Sequence, residues 1–293
     1  FTARRPIRSI RAGGWLLAAA LSCALAWAGH HLVFAQFQGY DDEGYLLVTV
    51  KQFLNGMPLY DGVYTQYGPA YYLWQYFLHT LIGIPLTHDA TRIVTVVLWL
   101  VCAALTGILV WLLTNRPGLT AIGVVVAFLH LTQLTFEPGH PQELCLLAGM
   151  GALVIATRRL VVNGHLGVPA AISVGALVAL TALTKVNIGA FLAGALTLGL
   201  VSNLPPSRMR TVLFRIAAVA AVVAVPGLMR ADLFRMDIAA WVVVVWSGLL
   251  AAFVAASNDG AADGAVTFHD LAACMAGMMI VSAAVITFAI EQG

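Results

Sequence analysis

Charged side chains are scarce in this 293-residue chain. Asp, Glu, Lys and Arg make up 10% of it, hydrophobic residues make up 61%, and the formal net charge is +2. Soluble domains carry about 25% charged residues, so the composition excludes a water-soluble enzyme and a strongly basic nucleic-acid binder. Together with a mean hydropathy of +0.90, the low charge also excludes a disordered chain. The remaining class is an all-α, polytopic transmembrane helical bundle.

Cysteine is also rare, and its placement excludes a cysteine-based metal or redox centre. The four cysteines form no CxxC pair, and each lies inside an apolar stretch. Free cysteine in such surroundings is normally a small buried hydrophobe. The positions are Cys23, Cys102, Cys145 and Cys274.

Apolar runs of about 20 residues predict about nine membrane spans. The first run, Trp15–Phe37, follows four arginines, and Ala24-Leu25-Ala26 is similar to a signal-peptide cleavage site. Its length and the spans after it favour an uncleaved first helix. The two short runs beside Lys185 predict broken or tilted helices. The nine runs are Trp15–Phe37, Ile93–Leu113, Pro117–Thr135, His140–Thr157, Leu166–Thr184, Val186–Ser202, Thr211–Met229, Ile238–Ala256 and Leu271–Ile290.

The segment Pro69–Leu86 is also apolar enough to span, and the distribution of basic residues decides its placement. Lys and Arg concentrate on the cytoplasmic side of membrane proteins. If the segment stays on one side, the chain places ten basic residues inside and five outside, whereas a spanning segment gives eight against seven. The first arrangement is favoured. It predicts a cytoplasmic N-terminus and a long extracytoplasmic loop over residues 38–92.

Polar chemistry is concentrated in this loop. All eight tyrosines lie between Tyr40 and Tyr76, and the acidic run Asp41-Asp42-Glu43 opens the loop. Interfacial tyrosines form aromatic belts, but their confinement to one loop favours a cleft wall that suits sugar rings. Residues 42–54 predict an amphipathic helix on the membrane surface, which Asn55-Gly56 ends. One acid serves as a helix N-cap, while a cluster of ionisable groups at membrane depth indicates function.

These motifs resemble the first extracytoplasmic loop of the GT-C superfamily of integral-membrane glycosyltransferases. The branch they resemble contains the protein O-mannosyltransferases and the lipid A aminoarabinose transferases. The resemblance covers about residues 38–115, and Arg92 at the start of the next span also fits it. The motifs that carry it are Asp41-Asp42-Glu43-Gly44-Tyr45, Asn55-Gly56-Met57-Pro58-Leu59-Tyr60 and Tyr67-Gly68-Pro69-Ala70-Tyr71-Tyr72.

The resemblance implies a reaction. A sugar would leave a polyprenyl phosphate and pass, with inversion, to a glycan, lipid or protein acceptor on the extracytoplasmic face of the plasma or inner membrane. The family's general base is the acid that opens the loop motif, which points to Asp41 first and Asp42 second. The dipeptide Asp42-Glu43 offers a competing alignment, so Glu43 is also a catalytic candidate. Relatives usually run well beyond 293 residues, so the resemblance implies either a piece of a longer protein with a further C-terminal part or a minimal transmembrane module.

Three further groups of residues are candidates for binding. Tyr45, Tyr60, Tyr64 and Tyr67 are assigned to the acceptor or the sugar. In the second outer loop, Glu137-Pro138-Gly139-His140-Pro141-Gln142-Glu143 resembles the family's His-Pro-acid motif, although Gln142 replaces the acid. His140 and Glu143 are therefore assigned to acceptor or phosphate binding, with a plain helix start as the alternative. Lys185, isolated among apolar residues, is assigned with Arg92 to the donor phosphate, because Lys pairs with phosphate as a point charge. The alternative is that Lys185 snorkels to the outer interface.

Other functions stay open. A transporter or lipid flippase predicts paired broken helices in two similar halves, and Lys185-Val186-Asn187 is a single break of that type. A membrane scaffold would need no acidic cluster. Neither a cofactor nor a metal is expected, because one distant His with acids is not a metal signature; a divalent cation is the alternative.

Overall fold

The computed structural model describes residues 12–35, 42–228 and 265–292. Over these ranges the chain forms helices joined by turns and loops, with one isolated bridge between Leu59 and Val63, which confirms the predicted all-α class there. The described residues form ten α-helices, α1 (Ala12–Ala35), α2 (Asp42–Leu54), α3 (Pro69–Tyr76), α4 (His88–Thr114), α5 (Pro117–Leu131), α6 (Pro141–Arg158), α7 (Val168–Thr184), α8 (Val186–Ser202), α9 (Arg208–Leu228) and α10 (Phe268–Gln292).

Five stretches of the described chain are long and apolar enough to cross a membrane. They are Ala18–Ala35, His88–Thr114, Pro117–Leu134, Pro141–Asn163 and Phe268–Glu291. Helices α7 and α8 are apolar but have 17 residues each. At 1.5 Å per residue each is about 26 Å long, slightly short of a hydrocarbon core of about 30 Å. The predicted span Ile238–Ala256 lies outside the described residues.

A single extended residue joins α7 to α8. Lys185 has φ −149° and ψ 104°, so the chain leaves the helical conformation for one residue. Its N–H still donates to the Thr181 carbonyl at 2.9 Å, and its own carbonyl accepts from the Gly189 N–H at 3.0 Å. The break predicted at Lys185 is therefore present, and it places a lysine between the ends of two apolar helices.

Contacts between distant residues place α2 and α3 together at one end of the bundle. The N-terminal turn of α4 pairs with α2 through Arg92 and Glu43. Near the C-terminus of α10, Phe288 packs on Phe53 of α2, with ring centroids 6.2 Å apart. We call the end of the bundle where α2 and α3 lie the juxtamembrane end.

The opposite end of the bundle gathers the turns between the other helices. The Leu166 N–H, ahead of α7, donates to the Ala265 carbonyl at 3.0 Å. The Val266 N–H, ahead of α10, donates to the Asn203 carbonyl after α8 at 3.2 Å. Helices α7, α8 and α10 therefore each run from one end of the bundle to the other.

The apolar segment over residues 69–86 remains at the juxtamembrane end. It begins after Gly68, whose N–H donates to the Thr184 carbonyl at 3.0 Å. A Cβ at Gly68 would collide with the Leu183 carbonyl, so this close approach requires glycine. After α3 the chain widens into a short π-helix over Phe77–Leu81, and it then enters α4 beside α2. Both ends of the segment lie at one end of the bundle, the arrangement that the charge count favours.

Candidate functional site

Polar side chains from four separate segments meet at the juxtamembrane end. They are Asp42 at the start of α2, Tyr67 in the loop before α3, Glu137 and His140 ahead of α6, and Lys185 between α7 and α8. We call these five residues the polar cluster. The loop before α3 and the loop before α6, both predicted to be extracytoplasmic, therefore face each other. The break between α7 and α8 places a cation beside them.

Two carboxylates and an imidazole form one side of the polar cluster. One potential ligand atom from each of Asp42, Glu137 and His140 lies within 4.8 Å of the other two. The Glu137 Oε2 atom is 3.6 Å from His140 Nε2. His140 is buried, while both carboxylates are partly exposed. The carboxylates are thus accessible to a ligand, and the imidazole is held behind them.

His140 has a defined hydrogen-bonding role. Its Nδ1 atom caps α6 by accepting from the Gln142 N–H at 3.3 Å. A neutral imidazole has one N–H and one acceptor nitrogen, so Nε2 carries the proton and donates to the Tyr67 hydroxyl at 3.0 Å. Burial, followed by the nearby positive charge of Lys185, lowers the pKa of His140 to about 4. The ring is therefore neutral at physiological pH.

The same hydrogen bonds bear on whether the polar cluster suits a metal ion. Carboxylate oxygens from Asp42 and Glu137 are good ligands for a hard divalent cation. In the tautomer that caps α6, however, His140 Nε2 is a donor and has no lone pair for a metal. The Lys185 charge adds repulsion. The donor set thus consists of two carboxylates, and a three-ligand site would require the ring to change tautomer.

Lys185 is held by an aromatic ring. Its Nζ atom lies 5.8 Å from the centroid of the Tyr67 ring, within the range of a cation–π contact. Among the described residues, no carboxylate lies within ion-pair distance of this ammonium. The charge of Lys185 is therefore not neutralised by a described acid, and it is available to an anion.

The remaining acid of the loop motif, Glu43, is paired inside the protein. Its side chain is 1% exposed. Arg92 Nη2 donates to Glu43 Oε2 at 2.9 Å, and Arg92 Nε donates to Oε1 at 3.2 Å. His88 Nδ1 lies 3.2 Å from the same Oε2. The sequence predicts a catalytic role for Glu43 and a phosphate contact for Arg92; in the structure the two charges pair with each other and join α2 to α4.

Glu143 is also buried, and it ties the second outer loop to the bundle. Its carboxylate accepts from the Thr95 hydroxyl at 3.1 Å and from the Trp99 indole N–H at 2.9 Å. Thr95 in turn accepts from the Gly139 N–H at 2.8 Å. These bonds connect α6, α4 and the loop that carries His140. The geometry gives Glu143 a supporting position one helical turn below the polar cluster.

The four tyrosines assigned to sugar or acceptor binding occupy different environments. Tyr45 donates to the Tyr64 carbonyl at 2.9 Å, and Tyr60 donates to the Tyr67 carbonyl at 3.0 Å. Tyr64 is 87% exposed, whereas Tyr67 is 2% exposed. Tyr64 thus presents a free ring to the outside, while Tyr67 has both of its faces inside the protein.

A narrow cleft adjoins the polar cluster between α3, α4 and α6. Its free volume is about 20 Å³, the space of about one water molecule. His140 and Glu143 are among its polar lining residues, and Leu78, Leu98 and Leu144 are among its apolar ones.

The acidic residues of the site differ in part from those that the sequence predicts. Glu137 was noted in the motif but was not assigned a role; its signal was its position three residues before His140. Asp41, the first choice for the base, lies outside the described residues. Asp42, the second choice, lies in the polar cluster.

The buried neutral His140 predicts a loss of stability in acid. An unfolded imidazole binds a proton near pH 6.5, whereas the folded ring resists protonation down to about pH 4. The unfolded state thus binds more protons in this window, so stability falls as pH drops through it. Between pH 7 and pH 5 we expect a loss of up to about 2 kcal/mol.

Thermal unfolding in detergent at the two pH values measures this effect. His140→Asn is the matched control, because Asn also caps helices but does not titrate. The variant should lose less stability in acid than the wild type. Equal losses in the two proteins would contradict the assignment of a neutral buried imidazole.

No known protein family, characterised protein or solved structure shows significant similarity to the chain.

Proposed function

We propose that this membrane protein is a glycosyltransferase that moves a sugar from a polyprenyl phosphate to an acceptor hydroxyl on the extracytoplasmic face. One observation carries the proposal: two accessible carboxylates and an ammonium without a described acidic partner share one site at the juxtamembrane end. Transfer from a lipid phosphate needs both, a base for the acceptor and a cation for the leaving phosphate. The resemblance of the loop motifs to GT-C enzymes adds support.

The chemistry is a single displacement. The acceptor hydroxyl attacks the anomeric carbon while Asp42 takes its proton as general base. The bond between that carbon and the phosphate oxygen breaks, and the electron pair leaves with the polyprenyl phosphate. Asp42 suits this role because it is partly exposed at the start of α2. Asp41 directly precedes it in the sequence and remains the alternative base.

Lys185 is the proposed contact for the phosphate. Its ammonium lies between two apolar helices, where a charge is costly without a partner. A polyprenyl phosphate would bring its negative charge to the same depth and keep its chain in the bilayer.

The orientation belongs to the same proposal. Arg116, Arg158, Arg159, Arg208 and Arg210 flank the turns of the opposite end, whereas Lys51, Arg92 and Lys185 lie at the juxtamembrane end. The excess of basic residues favours a cytoplasmic location for the opposite end. The polar cluster would then face outward. A total of nine spans, including the predicted one at Ile238–Ala256, fits this orientation.

Native mass spectrometry of the detergent-solubilised protein with a panel of polyprenyl-phosphate sugars tests the proposal. We expect the wild type to retain one of them. Lys185→Met should weaken retention about tenfold or more, because a charge-assisted hydrogen bond is lost. Lys51→Met is the matched control: Lys51 is exposed on α2, and its loss should leave retention unchanged.

Failure of the wild type to retain any lipid phosphate would contradict the proposal. Retention without transfer to any acceptor, combined with movement of the intact lipid between liposome leaflets, would instead establish a flippase. Equal binding by the two lysine variants would remove Lys185 from the phosphate site.

A further inference from the structure

Within the polar cluster, Tyr67 contacts both Lys185 and His140. Its ring face contacts the Lys185 ammonium, and its hydroxyl contacts His140 Nε2. Its own loop is fixed one residue later by the bond from the Gly68 N–H to the Thr184 carbonyl. Three segments far apart in the sequence therefore meet on one side chain.

The burial of Tyr67 limits what it can do. At 2% exposure it offers no free ring face to a sugar. Its hydroxyl accepts from His140 and from the Gln66 amide at 3.3 Å, which fills both acceptor positions of a phenol. Burial, and more weakly the carboxylates of Asp42 and Glu137, raise the pKa of Tyr67 above its usual value of 10.0. The side chain therefore stays a neutral phenol.

We propose that Tyr67 is a positioning residue, whose ring holds the Lys185 ammonium at the phosphate position and whose hydroxyl fixes the His140 ring. The role of the Tyr67 ring rests on the proposed function, because it assumes that Lys185 contacts the donor phosphate. Ring and hydroxyl act on different partners. Substitutions that remove one and keep the other can therefore separate them.

The geometry is testable without any ligand, because the chain has two lysines, Lys51 and Lys185. Reductive methylation with ¹³C-formaldehyde labels both lysines and the N-terminal amine. The signal lost in Lys185→Met is that of Lys185, and the signal lost in Lys51→Met is that of Lys51. An ammonium over a ring face gives an upfield-shifted methyl signal. We expect this shift for Lys185 in the wild type and in Tyr67→Phe, and its loss in Tyr67→Leu. The exposed Lys51 is the internal reference and should not change.

Binding measures the functional consequence. The probe is undecaprenyl phosphate, titrated into the full chain in detergent. We expect Tyr67→Leu to weaken binding about tenfold, within the range of a partly desolvated cation–π contact, and Tyr67→Phe to change it less than about twofold. In the Lys185→Met background, Tyr67→Leu should have no further effect. A merely structural role would weaken binding by the same factor in both backgrounds.

The outcomes separate this inference from the proposed function. An unshifted Lys185 signal in the wild type, or a shift that survives Tyr67→Leu, overturns the positioning role. An effect of Tyr67→Leu that is equal with and without Lys185 also overturns it. A shifted signal in a wild type that binds no polyprenyl phosphate supports the positioning of Lys185 and refutes the donor that we propose.

Discussion

Replacement of Asp42 by Asn is expected to reduce sugar transfer about 100- to 10,000-fold, the usual contribution of a general base. Asn has nearly the same shape as Asp, but it cannot take the proton of the acceptor hydroxyl. Donor binding should therefore persist. The measurement is a turnover assay with a polyprenyl-phosphate sugar at saturating donor, together with a binding titration of the same variant.

Two neighbouring acids provide the controls for this variant. Asp41→Asn tests the alternative base of the loop motif, and Glu137→Gln tests the carboxylate that the structure brings to the polar cluster. If Asp41→Asn abolishes turnover while Asp42→Asn does not, the base is Asp41. Full activity in all three variants would exclude general-base catalysis by this cluster.

The local structure of the first loop was predictable because it follows from short-range patterns. The apolar spacing predicted a helix over residues 42–54, and α2 occupies that range with Leu46, Val50 and Phe53 buried and Lys51 exposed. Asn55-Gly56 ends it, and Gly56 has φ +84°, a conformation that favours glycine. Such features depend on neighbours within one or two turns.

The contacts that build the site were not predictable in the same way. Glu43 and Arg92 are 49 residues apart, and Tyr67 and His140 are 73 apart. Neither pairing leaves a periodic signal in the sequence. A buried acid such as Glu43 and an accessible one such as Asp42 have the same local composition. Tertiary packing alone decides which one pairs internally and which one faces a ligand.

Arg92→Met is expected to destabilise the protein by about 3–5 kcal/mol, the usual cost of removing one partner of a buried ion pair and leaving the other charge uncompensated. Met preserves much of the volume of Arg but removes the guanidinium that bonds both oxygens of Glu43. The Glu43 carboxylate then loses its guanidinium partner and keeps the contact of its Oε2 atom with His88 Nδ1 at 3.2 Å. Denaturant-induced unfolding in mixed micelles, followed by tryptophan fluorescence, measures the change.

A double variant distinguishes lost pairing from lost packing. Arg92→Met with Glu43→Leu removes both charges, and replacement of a buried pair by apolar residues is often nearly neutral. The double variant should recover most of the stability that Arg92→Met loses. A double variant as unstable as the single one would show that other contacts of Arg92, including its cation–π contact with Phe34 at 5.8 Å, carry the stability.

The hydrogen bond from the Gly68 N–H to the Thr184 carbonyl has a consequence for biosynthesis. The first loop is synthesised early, but Thr184 and Lys185 are synthesised only at the end of α7. Until then Tyr67 lacks its cationic partner and the Gly68 N–H lacks its acceptor. The nascent loop therefore lacks these contacts until the later helices are made. The polar cluster can form only once α7 is complete. Assembly of the site is thus a late event in the maturation of the chain.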